Sequence, residues 1–320
     1  MSTEKHKGER IAKRIARAGL CSRRDAEGWV SQGRVRVNGV VIESAALNVV
    51  DSDVVLVDGK ALPDKEPPRL FLYHKPVGLV TSHKDERGRE TVFSALPPDL
   101  PRVVSVGRLD LNTEGLLLLT NDGELARFLE LPAHAWKRRY RVRVHGKVDE
   151  KRLESLKKGI KIDGVVYQSI EAKIDEVEKS GANSWLSVVL KEGKNREIRR
   201  VMEALGLQVT RLIRTDYGPF TLGRMERGAV AEVAPKVLQD QVAGYFKQAG
   251  ITLDTTRMAG VRVDEIPRKK QGSGNSGEKI AKKPAGRPAG KAAQKYAEQG
   301  GRPRPHKKKP DSRKPGRRER

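Results

Sequence analysis

Two apolar runs, VVSV at residues 103–106 and LLLLT at residues 116–120, constrain the fold of this chain more than any other feature. Each run is too short for a buried helix and has the length of a strand that is covered on both faces. The segment RRYRVRVHG, which begins at Arg138, alternates charged and apolar residues and predicts a strand with one solvated, basic face. Predicted strands outnumber helices and do not alternate regularly with them, so we predict an α+β fold with a mixed, mainly antiparallel sheet.

The neighbouring segments supply shorter elements and one amphipathic helix. RLFLYHKPVGLVTS predicts two short strands that are divided by HKPVG, and HKDERGRE predicts a charged surface loop. NREIRRVMEALG predicts a helix with an apolar stripe at Ile198, Val201, Met202 and Leu205. We place a single domain built on this sheet over residues 68–250.

A compact segment precedes the sheet region. IAKRIARAG has apolar residues at helical spacing, Ser22 and Asp25 form the pattern of a capping box, and the NG pair at residues 38–39 predicts a hairpin turn. The segment resembles an S4 RNA-binding domain, and with the proline-rich linker at residues 62–69 we place it over residues 8–67. The alternative is a helper domain whose basic face is only solvated. The resemblance implies RNA contacts for Arg14, Arg17, Arg23, Arg24, Arg34 and Arg36.

The charge of the chain indicates a polyanionic partner. It carries 65 Lys and Arg against 41 Asp and Glu, a formal charge of +24, which favours nucleic acid or an anionic membrane surface. No apolar run approaches the roughly 18 residues of a membrane span, so we predict RNA and no membrane. Cys21 is the only cysteine, which excludes an intrachain disulfide and fits a reducing cytosol. We expect a cytoplasmic protein that acts as a monomer.

The C-terminal residues form a separate basic segment. From Pro267 to Arg320 there are 19 Lys and Arg and 4 Asp and Glu, a net charge of 19 − 4 = +15. The segment has too little apolar surface to offset the entropy of ordering, so we predict a disordered basic tail over residues 262–320. RNA contact is the favoured role, and a solubilising tail without a target is the alternative.

The residue pattern around Asp110 makes it the candidate catalytic residue. It is an acid in a glycine-flanked loop, GRLDLNTEG, between the two apolar runs. An ionised carboxylate beside an anchoring arginine can act as a base or a nucleophile without a metal or cofactor. The six histidines are scattered without metal-ligand spacing, and neither a Walker-type nor a GxGxxG loop occurs, so we predict no metal and no cofactor. On RNA, the target is a ribose carbon or a base carbon.

Four motifs resemble one enzyme family. GRLDLNTEGLLLLTNDGELA closely resembles the catalytic motif of pseudouridine synthases, and YHKPVGLVTSHKDERGRETVF, YRVRVHG and GKNREIRRVMEALGLQVTRLIRTDYGPFTLG extend the match. With the S4-like segment, residues 8–235 resemble the RsuA/RluB-type ribosomal RNA pseudouridine synthases, and the large-subunit RluB-like branch most. Related families often have His-Gln where this chain has Arg196-Glu197.

The resemblance implies a role for individual residues. Asp110 falls on the catalytic aspartate, and Arg108 falls on the arginine that occupies the stack after the uridine flips out. Tyr140 falls on the tyrosine that packs against the flipped base, and Ile198 on a residue that lines the uracil pocket. Arg199 falls on the basic residue that pairs with the aspartate. Lys75, with Pro76, matches the KPxG motif, whose role is structural or RNA-positioning.

The implied reaction is the isomerisation of uridine to pseudouridine in ribosomal RNA, and the sequence leaves two alternatives open. A glycosidase-like enzyme needs a second carboxylate, and Glu114 and Asp122 are the near candidates. A non-catalytic ribosome-assembly factor would keep the fold for RNA binding alone. Within the motif, Tyr140 could be an ordinary strand aromatic, and Arg196 or Arg200 could replace Arg199 in the pairing.

Overall fold

The structure is a computed structural model that describes residues 8–177 and 182–256 of the 320-residue chain. The basic tail predicted over residues 262–320 lies outside these residues. A small helical and stranded part comes first, residues 62–69 have no helix or strand, and a large sheet follows. The domain limits at residues 67, 68 and 250 stay predictions. In the described ranges, no helix combines the length and the apolar character needed to cross a membrane.

The N-terminal part is built on two short helices, α1 (Ile11–Arg17) and α2 (Arg23–Ser31). The predicted capping box is confirmed. The Ser22 hydroxyl accepts a hydrogen bond from the Asp25 amide at 3.1 Å, and the Asp25 carboxylate accepts one from the Ser22 amide at 3.3 Å. These two bonds satisfy amide groups that the first turn of a helix would leave unpaired.

A small sheet packs against these helices. The predicted hairpin turn is confirmed, because Asn38 and Gly39 both adopt positive φ, at 51° and 86°. Four strands run antiparallel in the order β3-β2-β5-β6, and β1 pairs separately with β4. The strands are β1 (Glu9–Arg10), β2 (Val35–Val37), β3 (Val40–Val41), β4 (Asn48–Val49), β5 (Val55–Val57) and β6 (Lys60–Ala61).

The central sheet has nine strands in the order β13-β14-β10-β15-β9-β7-β17, with β8 also paired to β9 and β16 to β15. Every pairing is antiparallel except that of β9 with β15, which confirms the mixed, mainly antiparallel α+β prediction. The nine strands are β7 (Leu70–Lys75), β8 (Val104–Val106), β9 (Glu114–Thr120), β10 (Arg138–His145), β13 (Glu171–Val177), β14 (Asn183–Leu190), β15 (Gln208–Tyr217), β16 (Phe220–Thr221) and β17 (Val230–Glu232). Two further strands lie outside this sheet, β11 (Ile160–Ile162) and β12 (Val165–Tyr167). Strands β11 and β12 form a separate hairpin.

Helices cover both faces of this sheet. One apolar cluster joins Leu116 and Leu118 of β9 to α3, α6 and α7. A second cluster joins Val142 and Val144 of β10 to α4 and α5 on the opposite face. The helices are α3 (Gly123–Glu130), α4 (Glu150–Ser155), α5 (Glu197–Ala204), α6 (Pro235–Gln241) and α7 (Ala243–Ala249), with single 3₁₀ turns at Pro132–His134 and Leu156–Lys158.

One predicted strand is absent. After HKPVG, the apolar residues LVTS form only an isolated bridge between Val80 and Thr91, where a short strand was expected. Residues 76–103 instead form a long loop that buries Leu79 and Val92 against Phe71 and Tyr73 of β7. The apolar residues that suggested a strand therefore serve to pack this loop onto the sheet.

Candidate active site

The loop that carries Asp110 is held by its backbone and leaves its carboxylate half-buried. Asp110 lies between β8 and β9, and its carbonyl accepts a hydrogen bond from the Thr113 amide at 3.0 Å. The carbonyl of the preceding, buried Leu109 accepts a hydrogen bond from the Thr81 hydroxyl at 2.9 Å. The fold thus fixes the main chain around Asp110 through contacts that do not involve its side chain.

Lys75 holds this loop in place through hydrogen bonds to backbone carbonyls. The prediction that Lys75 contacts RNA is corrected by the structure. Lys75 is fully buried at the end of β7, and its Nζ donates to the carbonyls of Thr113 at 3.0 Å, Pro76 at 2.9 Å and Asp110 at 3.3 Å. Burial lowers the pKa of Lys75 to about 8, although the charges of Asp110 and Glu114 oppose this. A side chain without exposed surface cannot reach RNA, so the structural alternative for KPxG is the one supported.

Arg199 lies beside Asp110 but bonds to backbone carbonyls. Its Nη2 donates to the carbonyl of Asn112 at 2.9 Å, and its Nη1 to the carbonyl of Val209 at 3.3 Å. Burial and the charge of Arg196 lower the pKa of Arg199, while the charge of Asp110 opposes them. The predicted direct ion pair with Asp110 is not formed between these two described side chains, and the guanidinium donates to the two carbonyls instead. Arg199 therefore acts on Asp110 through its charge and through its hydrogen bond to the Asn112 carbonyl of the same loop.

Tyr140 and Ile198 meet on the same face of the sheet. Tyr140 projects from β10 with the parity of Val142 and Val144, and it belongs to the apolar cluster that contains Ile198 of α5. Both side chains are buried. Arg199 follows Ile198 directly in α5 and reaches the Asp110 loop through the Asn112 carbonyl. The roles of Tyr140, Ile198, Arg199 and Asp110 in a common site stay predictions.

Arg108 is exposed two residues before Asp110. It follows Gly107, whose φ is +67° and whose amide donates to the Glu130 carboxylate at 2.5 Å. The positive φ turns the chain sharply out of β8, and glycine adopts it without steric cost. Arg108 is therefore exposed at the start of the Asp110 loop, where its side chain is accessible to RNA.

Arg214 is a buried charge in the site region that the sequence reasoning missed. Its Cα pairs with Tyr140 across the sheet, its Nε donates to the carbonyl of Leu116 at 2.7 Å, and its Nη2 is buried without a partner in the described residues. Gly115 is needed beside it, since a Cβ there would lie 2.2 Å from the Arg214 carbonyl oxygen. The sequence did carry one indication of this: Arg214 lies two residues after the apolar Leu212 in β15, so both side chains project to the same face of the sheet.

The two carboxylates that a glycosidase would need are engaged elsewhere. Glu114 pairs in β9 with Ile213, the neighbour of Arg214, so its side chain projects to the face opposite Tyr140. Burial opposes its ionisation, but Arg211 at 2.5 Å and Arg227 at 3.1 Å lower the pKa of Glu114. Asp122 caps α3 by accepting from two amides of its first turn. Neither carboxylate faces Asp110 across a substrate site.

The arginines of the S4-like part divide into two groups. Three form ion pairs with acidic residues: Arg14 with Asp51, Arg17 with Glu9, and Arg34 with Asp58. The other three predicted RNA contacts, Arg23, Arg24 and Arg36, are exposed. Arg34 also lies over the ring of Trp29, 4.7 Å from its centroid. Among the described residues, Arg23, Arg24 and Arg36 form no ion pair, so they are available to phosphates without first breaking one.

Glu197, at the start of α5, gives a pH-dependent contribution to stability. It is buried, and its Oε2 accepts a hydrogen bond from the Lys194 amide at 2.9 Å. Burial and the neighbouring charge of Glu192 raise the pKa of Glu197 from its usual 4.5 to about 7. The neutral form is therefore favoured in the folded state. The contribution of Glu197 to the stability of the folded state is fully present below pH 4.5 and is lost as the pH rises through about 7.

We expect Glu197→Gln, which is neutral at every pH and keeps the acceptor for Lys194, to stabilise the protein at pH 8 relative to wild type. The expected gain in the free energy of unfolding is about 1–3 kcal/mol at pH 8 and close to zero at pH 4.5. Urea unfolding at both pH values measures it. Glu203→Gln, an exposed position on the same helix, is the control and should show no such difference. Parallel pH profiles for wild type and Glu197→Gln would contradict the assignment.

Comparison with known proteins places this geometry in a family. Residues 9–55 match the S4 domain family, and residues 69–204 match the RNA pseudouridylate synthase family. A protein of Rickettsia felis, named as an uncharacterized RNA pseudouridine synthase, is 51% identical over 231 residues, which cover 72% of this chain and 99% of that protein. The ribosomal large subunit pseudouridine synthase B of Pseudomonas aeruginosa is 42% identical over 224 residues, which cover 67% of this chain and 56% of that protein.

The fold agrees with these sequence matches. A crystal structure of a pseudouridylate synthase superposes with a TM-score of 0.52 at 26% identity, covering 73% of this chain and 100% of that one. The S4 match and the synthase match follow one another in the order that the resemblance predicted. The chain therefore belongs to the RNA pseudouridine synthases of the RsuA/RluB type, enzymes that carry an S4 domain ahead of the catalytic sheet.

Proposed function

We propose that this enzyme isomerises a specific uridine of large-subunit 23S ribosomal RNA, with Asp110 as the catalytic group and the target base flipped out of its helix. The observation that carries the proposal is that Arg199 of α5 bonds to the Asp110 loop at Asn112, while its neighbour Ile198 lies in the same apolar cluster as Tyr140. The large subunit is chosen because the Pseudomonas aeruginosa relative is named for it. The S4-like part supplies three exposed arginines for structured RNA.

The chemistry fits side chains alone. The C1′–N1 bond breaks, the uracil turns, and a C1′–C5 bond forms, while N1 gains a proton and C5 loses one. No atom is gained or lost overall, and no redox step occurs, so no cofactor is required. Asp110 either takes a ribose proton or attacks a carbon of the nucleotide. Asp110 is only half-buried, so its carboxylate is accessible to a nucleotide in either role.

The remaining residues lower the barrier by holding the nucleotide. Flipping a base out of a helix costs a few kcal/mol of stacking and pairing. The ring of Tyr140 stacks on the extracted uracil, Ile198 closes the pocket beside it, and exposed Arg108 fills the gap left in the RNA. Arg199 keeps positive charge near Asp110 and fixes the loop through the Asn112 carbonyl.

Pseudouridine mapping of ribosomal RNA tests this proposal. In a strain that lacks this protein, one pseudouridine of 23S ribosomal RNA should disappear and return when the protein is supplied. Loss of a site in 16S ribosomal RNA would contradict the large-subunit assignment but leave the reaction intact. An unchanged map in all ribosomal RNA would contradict ribosomal RNA as the substrate.

A further inference from the structure

A basic cavity lies beside the Asp110 loop, and of its lining residues only Arg199 has a role in the chemistry described above. It has a volume of about 350 Å³ and lies between α5 and the turn that leads into β15. Its lining includes Arg196, Arg199, Glu203 and the backbone of residues 206–209. Arg199 lies between the cavity and the Asp110 loop, because it lines the cavity and also donates a hydrogen bond to the Asn112 carbonyl of that loop.

The two arginines of this cavity are not neutralised. Across the described residues, neither forms an ion pair with a carboxylate, and the Nε of Arg199 is buried without a hydrogen-bond partner. Burial, followed by the charge of Arg196, lowers the pKa of Arg199, so the two guanidinium groups repel each other. The lining contains one glutamate, Glu203, and two arginines, so its net charge is positive. Such an arrangement is stabilised when an anion enters it.

The backbone of Arg196 indicates that its side chain is needed at this position. Its φ is +52°, in the left-handed region that favours glycine or asparagine. Of the five non-glycine residues with positive φ in the described chain, three are Asn or Asp directly before a glycine. Arg196 has no such turn and no side-chain capping bond. An arginine that keeps a strained conformation beside a pocket fits a functional site.

We propose that Arg196 and Arg199 bind a backbone phosphate of the RNA strand next to the flipped uridine. The inference rests on the proposed function, and it names a binding site in addition to the base pocket. A phosphodiester suits the cavity because guanidinium groups bind phosphate oxygens through paired, charge-assisted hydrogen bonds. Because Arg199 borders both spaces, a phosphate held here fixes the strand while the attached nucleoside reaches Asp110.

The first test compares Arg196→Asn with Arg200→Asn. Asparagine tolerates the left-handed conformation, so the first variant should fold at least as stably as wild type. Arg200 is exposed on the same helix and does not line the cavity, so it is the matched control. With a hairpin that contains the mapped uridine, Arg196→Asn should bind about tenfold more weakly, as for the loss of one charged hydrogen bond. Its slope of log affinity against log salt should fall by about 0.7.

The second test locates the phosphate. Single methylphosphonates, which carry no charge, replace each phosphate around the target uridine in turn. One substitution should weaken binding to wild type and to Arg200→Asn clearly more than it weakens binding to Arg196→Asn, which has already lost one of the two arginines. If no position couples to Arg196, the inference is wrong. If inorganic phosphate protects wild type but not Arg196→Asn against heat, and no methylphosphonate couples, the cavity binds free phosphate and the RNA assignment is overturned.

These binding measurements separate the two proposals. A wild-type protein that modifies its uridine but shows no coupling contradicts only the phosphate site. A protein that shows the coupling but forms no pseudouridine contradicts only the proposed function.

Discussion

Asp110→Asn should abolish pseudouridine formation while RNA binding stays within a few-fold of wild type. The amide has the shape of the carboxylate but can serve neither as base nor as nucleophile. The loop should remain in place, because Lys75 and Thr113 bind the Asp110 carbonyl and not its side chain. Loss of a general base lowers turnover by about 10²–10⁴-fold, and loss of a nucleophile lowers it further. Single-turnover rates on saturating RNA measure the effect.

Glu114→Gln is the control that distinguishes this enzyme from a two-carboxylate hydrolase. Glu114 pairs with Arg211 and Arg227 on the opposite face, so its loss should reduce stability and leave the rate constant near wild type. An inactive Glu114→Gln protein beside an active Asp110→Asn protein would favour the hydrolase. If Asp110→Asn rescues every phenotype of a deletion strain, ribosome assembly without catalysis is the function.

Local pattern was sufficient to predict the buried faces that carry Tyr140 and Ile198, whereas their assignment to the site came from the resemblance. The parity of Tyr140 with Val142 and Val144 placed its ring on the buried face, and the apolar stripe of α5 placed Ile198 toward the same cluster. Both follow from periods of 2.0 and 3.6 residues, which are properties of single elements. The identity of Asp110 needed the resemblance, because an acid in a glycine-flanked loop also fits a turn.

The polar half could not be predicted, because it depends on where backbone carbonyls converge in three dimensions. Lys75 is a charged residue at the end of a strand, and only the folded loop shows three carbonyls around its ammonium group. Arg199 was expected to bind the Asp110 carboxylate, yet the carbonyls of Asn112 and Val209 are its acceptors. Sequence patterns report burial and period, but they do not report which distant acceptor a long side chain reaches.

Arg199→Ala should lower turnover sharply, by about 10²–10³-fold, the effect of removing one preorganised donor from an active site. The side chain supplies positive charge near Asp110 and joins the Asn112 carbonyl to that of Val209. Alanine removes both, so the loop loses its support at Asn112 and the carboxylate loses one favourable charge, while Lys75 still holds the Asp110 carbonyl. The rate constant at saturating RNA, measured beside the free energy of unfolding, separates this effect from a loss of fold.

Two further variants test whether Arg199 acts as a positioning residue. Arg199→Lys keeps the charge but cannot span two carbonyls, so it should recover part of the rate that alanine loses. A purely structural role would make Arg199→Lys and Arg199→Ala lose activity only in proportion to their loss of stability. Arg200→Ala, at an exposed position, should retain the wild-type rate. If Arg200→Ala is inactive and Arg199→Ala is normal, the neighbouring arginine is the one that serves Asp110, and the contacts of Arg199 described above are not those of the working enzyme.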